Sequence, residues 1–94
     1  MTRPSPLELL RSTHQFPCRF TFKVIGRCEA DFVLRAVAAV SRALPEGALP
    51  VHSSRQTASG RHIAVTIEPE VASAEQVLEI YALLRRLEGL VLLL

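Results

Sequence analysis

Ninety-four residues, 49% of them hydrophobic and 21% charged, with a net charge of only +2, describe one globular domain. That balance excludes intrinsic disorder, and the small charge excludes a strong pull on nucleic acid or anionic lipid. Lys23 is the only lysine among 11 basic residues, and the arginines are spread along the chain as compositional bias spreads them, not gathered into one patch. Cys18 and Cys28 are too few for a disulfide framework. Residues 1–6 carry no apolar stretch, and the longest apolar run, residues 90–94, is far short of a membrane span. The expectation is a cytoplasmic protein with reduced thiols.

Taken in chain order, Ser5, Pro6 and Glu8 predict a capped start to a short helix, with Leu7 and Leu10 on one face and an end near Ser12 and Thr13. Residues 16–26 alternate: Phe16, Cys18, Phe20, Phe22 and Val24 face one way, and Pro17, Arg19, Thr21 and Lys23 the other. Period two over this length predicts a half-buried strand, with pairing that starts after Pro17 and ends at Gly26. Residues 29–44 switch to helical spacing, with Phe32, Val33, Ala36, Val37, Val40 and Leu44 on one stripe and Glu29 and Asp31 in the first turn. Pro45 and Gly47 end that helix.

Residues 49–58 predict a short strand that runs into a mobile polar loop, with a turn at Ser59 and Gly60. Residues 61–68 alternate again, Ile63, Val65 and Ile67 inward, until Pro69. Ser73 and Gln76 have capping-box spacing ahead of a helix that carries Val77, Ile80, Tyr81, Leu84 and Leu87. Gly89 suits a helix C-terminus, and residues 90–94 form the last strand.

One-sided strands between amphipathic helices predict an α+β fold. With both main helices on one sheet face, the simplest solution is a ferredoxin-like βαββαβ two-layer sandwich. Its four-stranded antiparallel sheet has the first and third strands in the centre. The expected organisation is an N-terminal extension with a short helix over residues 1–15 and a single domain over residues 16–94.

Several stretches resemble the YbeD-like family of small bacterial proteins. Phe16 and Pro17, followed by Phe22, Lys23, Val24, Ile25 and Gly26, resemble that family's opening motif. Ser59, Gly60, Arg61 and His62, with Val65 and Thr66, resemble its hairpin. Glu75, Gln76 and Val77, with Ile80, Tyr81 and Leu84, resemble its second helix, and Val91 and Leu92 its ending. The resemblance implies a ferredoxin-like fold similar to the ACT regulatory domains. It implies no established biochemical activity, only an association with lipoate metabolism. Arg61 and His62 depart from the Lys and aromatic common in the family's hairpin, and the segment between Leu10 and Phe16 is longer than usual.

No catalytic constellation is visible. His14, Cys18, Cys28, His52 and His62 have no paired metal-ligand spacing, so neither a metal nor a cofactor is expected. Ser53, Ser54 and Ser59 lie near His52 and His62, but no acid lies between Glu46 and Glu68 to orient a base. An RNA platform needs aromatics on the outer sheet face, where Arg19, Thr21, Lys23, Ala64 and Thr66 are expected instead.

The expected function is therefore a non-enzymatic regulatory or adaptor module that works through protein–protein contact. Arg55, Arg61 and His62 are the candidates for contact with an anion or an acidic partner. The edge strand of residues 90–94, apolar on both faces, is the candidate for a protein partner or a second copy, unless Leu7 and Leu10 cover it. The alternative is an ACT-type sensor of a small ligand of lipoate or amino-acid metabolism. By the family resemblance that ligand would sit at the loop of Gly26, Arg27, Cys28 and Glu29, where glycine permits close backbone approach and a helix start attracts anions.

Overall fold

The computed structural model describes residues 3–29 and 31–94; Met1 and Thr2, part of the opening stretch discussed above, and Ala30 lie outside the described residues. Helix α1 spans Pro6–Thr13. The Ser5 Oγ accepts the Glu8 N–H at 3.2 Å, and the Glu8 carboxylate accepts the Ser5 N–H at 3.2 Å. Both halves of the capping box are therefore made, which satisfies two of the three free donors at the helix start, Pro6 having no N–H.

The alternating segment divides into β1 (Cys18–Arg19) and β2 (Phe22–Arg27). Helix α2 follows at Phe32–Ser41, then β3 at Val51–Gln56 and β4 at His62–Glu68. A two-residue strand β5 (Glu70–Val71), helix α3 (Ala74–Arg85) and β6 (Leu90–Leu93) complete the chain. The main sheet has the order β3-β4-β2-β6, antiparallel throughout. Discounting the short β1–β5 pair, this is the ferredoxin-like arrangement, with the first and third long strands in the centre.

The helices bury one face of that sheet. Phe22 and Val24 on β2 and Val65 and Ile67 on β4 are buried with Phe32, Ala36 and Val40 of α2 and Val77, Ile80 and Leu84 of α3. The periodicities of two and 3.6 thus meet in one core. Cys18 and Phe20 keep the alternation and pack against its end, half-buried, and Phe16 adds to it. Tyr81 joins Phe20 and Phe22, its ring centroid 4.9 Å from that of Phe22.

Three expectations are corrected. First, the strand expected over residues 16–26 is interrupted. Its pairing with the later strand keeps the same register across the gap, Cys18 with Val71 and Phe22 with Ile67. The Phe20 N–H reaches the Pro69 carbonyl at 3.0 Å, but Pro69 has no N–H to return, so the ladder breaks there. The strand also runs one residue past Gly26. Second, the polar residues 52–56, expected as a loop, are strand, paired with β4 along their whole length. They are polar because β3 is an edge that the helices do not reach, so both its faces stand in water. Third, α2 is shorter than its apolar stripe: Asp31 is its N-cap, Glu29 precedes it, and Leu44 lies beyond its end.

At the second capping site, the Ser73 Oγ accepts the Gln76 N–H at 3.2 Å, as expected. The Gln76 side chain does something else. Its Oε1 accepts the Ala72 N–H at 2.6 Å and its Nε2 donates to the Ala43 carbonyl at 2.7 Å, which ties the start of α3 to the end of α2. Helix α1 lies against α3, with Arg11 and Glu75 paired at 2.9 Å and Leu10 on the core. It belongs to the helix layer.

Candidate functional site

The two groups of residues singled out from sequence come together at one end of the sheet. Arg27 and His62 are direct cross-strand partners, and the Cys28 N–H donates to the Arg61 carbonyl at 3.0 Å. Gln56 Nε2 donates to the Cys28 Sγ at 3.1 Å. Arg55, one residue back along β3, pairs with Ala64. So the loop of Gly26, Arg27, Cys28 and Glu29 is the neighbour of the Arg55, Arg61 and His62 hairpin.

That loop is tightly engaged within the chain. A Cβ on Gly26 would lie 2.1 Å from the Phe32 ring, so the phenylalanine fills the space over the glycine. Arg35 binds Glu29 at 3.1 Å, Asp31 at 3.2 Å and the Glu88 carbonyl at 2.8 Å, and its guanidinium stands 5.6 Å from the centre of the Phe32 ring. One arginine thus joins the loop, the start of α2 and the turn before β6. The Arg27 N–H donates to the Gly89 carbonyl at 2.9 Å, and Gly89 adopts φ +87°, a conformation natural to glycine.

Of the candidate edge strand, Leu92 and Leu94 lie on the outer sheet face, away from the helices, whereas Leu90 and Leu93 pack against the core. Side chains of paired residues share a face. One row across the sheet reads Leu92, Ile25, Ala64 and Arg55, and the next Leu94, Lys23, Thr66 and Ser53. Beyond them lie Arg27 and His62. This face has an apolar stripe of Leu94, Leu92 and Ile25, with Leu92 46% and Leu94 58% exposed, and bases around it: Lys23 and Arg27 stand on either side of Ile25 along β2, and Arg55 on β3. Glu68, at the far end of β4, is the one carboxylate on its strands among the described residues. No phenylalanine or tyrosine faces outward here, so there is no stacking surface for bases.

Among the described residues no three His, Cys, Asp or Glu side chains converge in a metal-holding group. His14 lies against the rings of Phe16 and Phe20, and both cysteines are free thiols. At the opposite end of the sheet from the Gly26 loop is a half-open cavity of about 490 Å³ that sequence reasoning did not foresee. Leu44, Leu49, Val51 and Val71 line it, together with Pro17, Pro45, Pro50 and Pro69, four of the chain's six prolines. Arg19, Glu68 and Glu70 stand at it, and none makes an ion pair among the described residues. Its signal was present as a set of prolines, but those residues come from separate segments that only the fold assembles.

With this geometry in place, comparison with known proteins settles the family. Residues 11–94 match the model of the family described as "Protein of unknown function (DUF493)". The chain belongs to the DUF493 family. Its relatives include the UPF0250 protein of Shewanella woodyi, 36% identical over 75 residues that cover 80% of this chain and 83% of that protein. The UPF0250 proteins of Shewanella sediminis and Shewanella piezotolerans are 35% and 36% identical over the same shares. These are the YbeD-like proteins that the motifs resembled. The DUF493 match begins at Arg11, so it takes in the ion pair to Glu75 but leaves out the Ser5 cap. It covers the whole sheet, both of its edges and both main helices. The family carries no assigned activity, so any role has to be argued from the surface itself.

Proposed function

We propose that the chain is a non-enzymatic adaptor or regulatory module that acts through protein–protein contact on the outer sheet face. The observation that carries this is the unpartnered apolar stripe on that face. Ile25, Leu92 and Leu94, with Val91 54% exposed beside them, form a stripe that α1 leaves open because it packs on α3 instead. Exposed apolar side chains with Lys23 and Arg27 on either side of Ile25 and Arg55 farther across the sheet suit a partner that is apolar in its middle and acidic around it. Contact runs through side chains more than through strand addition at β6. That strand is short, and its pairing with β2 shifts register between Ile25 and Gly26, which blunts the edge. The small-ligand reading of the Gly26 loop has less support, since Phe32 and Arg35 already occupy its space.

The test is sedimentation of wild type and of Leu92→Lys/Leu94→Lys over a range of concentrations, with a native affinity pull-down on both. Both leucines are exposed, so the variant keeps its fold. Concentration-dependent association, or a stable partner, that the variant loses supports the proposal. A monomeric wild type whose co-purifying proteins are unchanged in the variant refutes it.

A further inference from the structure

The second edge of the sheet is built differently from the first. The Thr57 N–H donates to the His62 carbonyl at 2.9 Å, which makes residues 57 and 62 a hydrogen-bonded pair. Antiparallel ladders alternate, so along β3 the backbone groups of residues 51, 53 and 55 turn toward β4. Those of His52, Ser54 and Gln56 turn outward, where the sheet order places no further strand. Each offers one N–H and one C=O. Strand β3 is six residues long, pairs with β4 without a register shift, and contains neither lysine nor proline. Within the strand the one device that blunts an edge is the charge of Arg55; Pro50, just before β3, has no N–H to offer a further strand.

We infer that β3 receives an extended acidic segment of a partner protein as a fifth strand. The inference rests on the protein-contact reading above and names the class of partner. Arg55 makes no ion pair among the described residues, so the position opposite it favours an acid. At the other end of the strand, Val51 is 57% exposed and Leu49 87% exposed, and both line the 490 Å³ cavity. The position opposite Val51 favours an apolar residue, and the chain that continues past it meets the mouth of that cavity. Residues opposite 51 and 55 are four apart on any added strand and share its outer face. The partner segment thus carries an acid and an apolar residue at a spacing of four, in an extended chain long enough to pair with His52, Ser54 and Gln56. Main-chain bonds supply the grip and the two flanking side chains the choice of partner.

The experiment selects random twelve-residue peptides against the intact chain by display, then titrates the enriched peptide against wild type and Ser54→Pro. Proline at position 54 removes an N–H that points outward and leaves the bonds to β4 alone. The expected result is enrichment of the four-residue acid–apolar spacing, with affinity reduced about tenfold by Ser54→Pro. A peptide N-methylated at the residue opposite Ser54 should lose a similar factor on the wild-type protein, a readout that holds even if the proline variant folds poorly. Amide shifts should concentrate on residues 51–57. Enriched peptides that perturb the outer face and ignore both modifications overturn the β3 inference while leaving the protein-contact reading intact. A dimer dissolved by Ser54→Pro, with no peptide bound, overturns it in favour of a second copy. No peptide bound and no dimer overturns it outright, while the Leu92/Leu94 experiment judges the broader reading separately.

Discussion

Replacing Gly26 by alanine asks whether that glycine serves the core or a ligand. The added methyl would meet three atoms of the Phe32 ring at 2.1, 2.3 and 2.6 Å, whereas carbon atoms settle at about 3.5–4.0 Å. Phe32 is fully buried, so its ring has no open space to swing into. Overpacking of this kind costs about 1–3 kcal/mol, and a clash with three ring atoms belongs in the upper part of that range. Against it stands a gain of about 0.5–1 kcal/mol, because alanine loses less backbone freedom than glycine in a strand. The net destabilisation is about 2 kcal/mol, which for a chain of this size lowers the melting temperature by about 8–16 °C. Urea unfolding followed by circular dichroism measures it. The variant Phe32→Leu shrinks the obstructing ring, so the double variant should be less destabilised than the two single losses together by about 1 kcal/mol or more. A Gly26→Ala protein within about 0.5 kcal/mol of wild type would refute the packing argument and return Gly26 to the role of a ligand-approach residue.

Gln76→Ala removes both the acceptor for the Ala72 N–H and the donor to the Ala43 carbonyl, and should lower stability by about 2 kcal/mol in the same assay. Gln76→Glu keeps the acceptor for the Ala72 N–H and loses only the link to Ala43, so it should lose about half as much; a Gln76→Glu protein as stable as wild type would show that the link to α2 adds nothing. Burial pushes the Tyr81 phenol above its ordinary value, with Arg85 acting in the opposite sense. The neutral phenol is thus favoured in the fold, and its contribution is complete below about pH 10 and is lost as pH rises through the raised value. Urea midpoints measured from about pH 9 upward should therefore fall more steeply for wild type than for Tyr81→Phe, and parallel curves would contradict this.

Much of this protein follows from local pattern. Alternation at Phe22 and Val24 and at Val65 and Ile67 identifies the two central strands, because a strand covered on one face must place its apolar residues at every second position. The stripes of Phe32, Ala36 and Val40 and of Val77, Ile80 and Leu84 identify the two helices for the matching reason at a period of 3.6. Ser5 with Glu8, and Ser73 with Gln76, mark helix starts because caps are made by near neighbours in the chain.

What only the tertiary structure decided lies where pattern carries no signal. An edge strand solvated on both faces needs no apolar residue, so His52, Ser53, Ser54, Arg55 and Gln56 look like a loop until β4 is seen to pair with them. Whether Leu10 would lie on the sheet or on α3 depended on which layer had room, and no spacing within α1 expresses that. Gly26 suggested open backbone; the ring that covers it comes from α2. The cavity walled by Pro17, Pro45, Pro50 and Pro69 exists only because the β1–β5 pair, the loop after α2 and the ends of β3 and β4 meet at one corner. Local periodicity sets which side of each element is apolar, and long-range pairing then decides which surfaces are left for a partner.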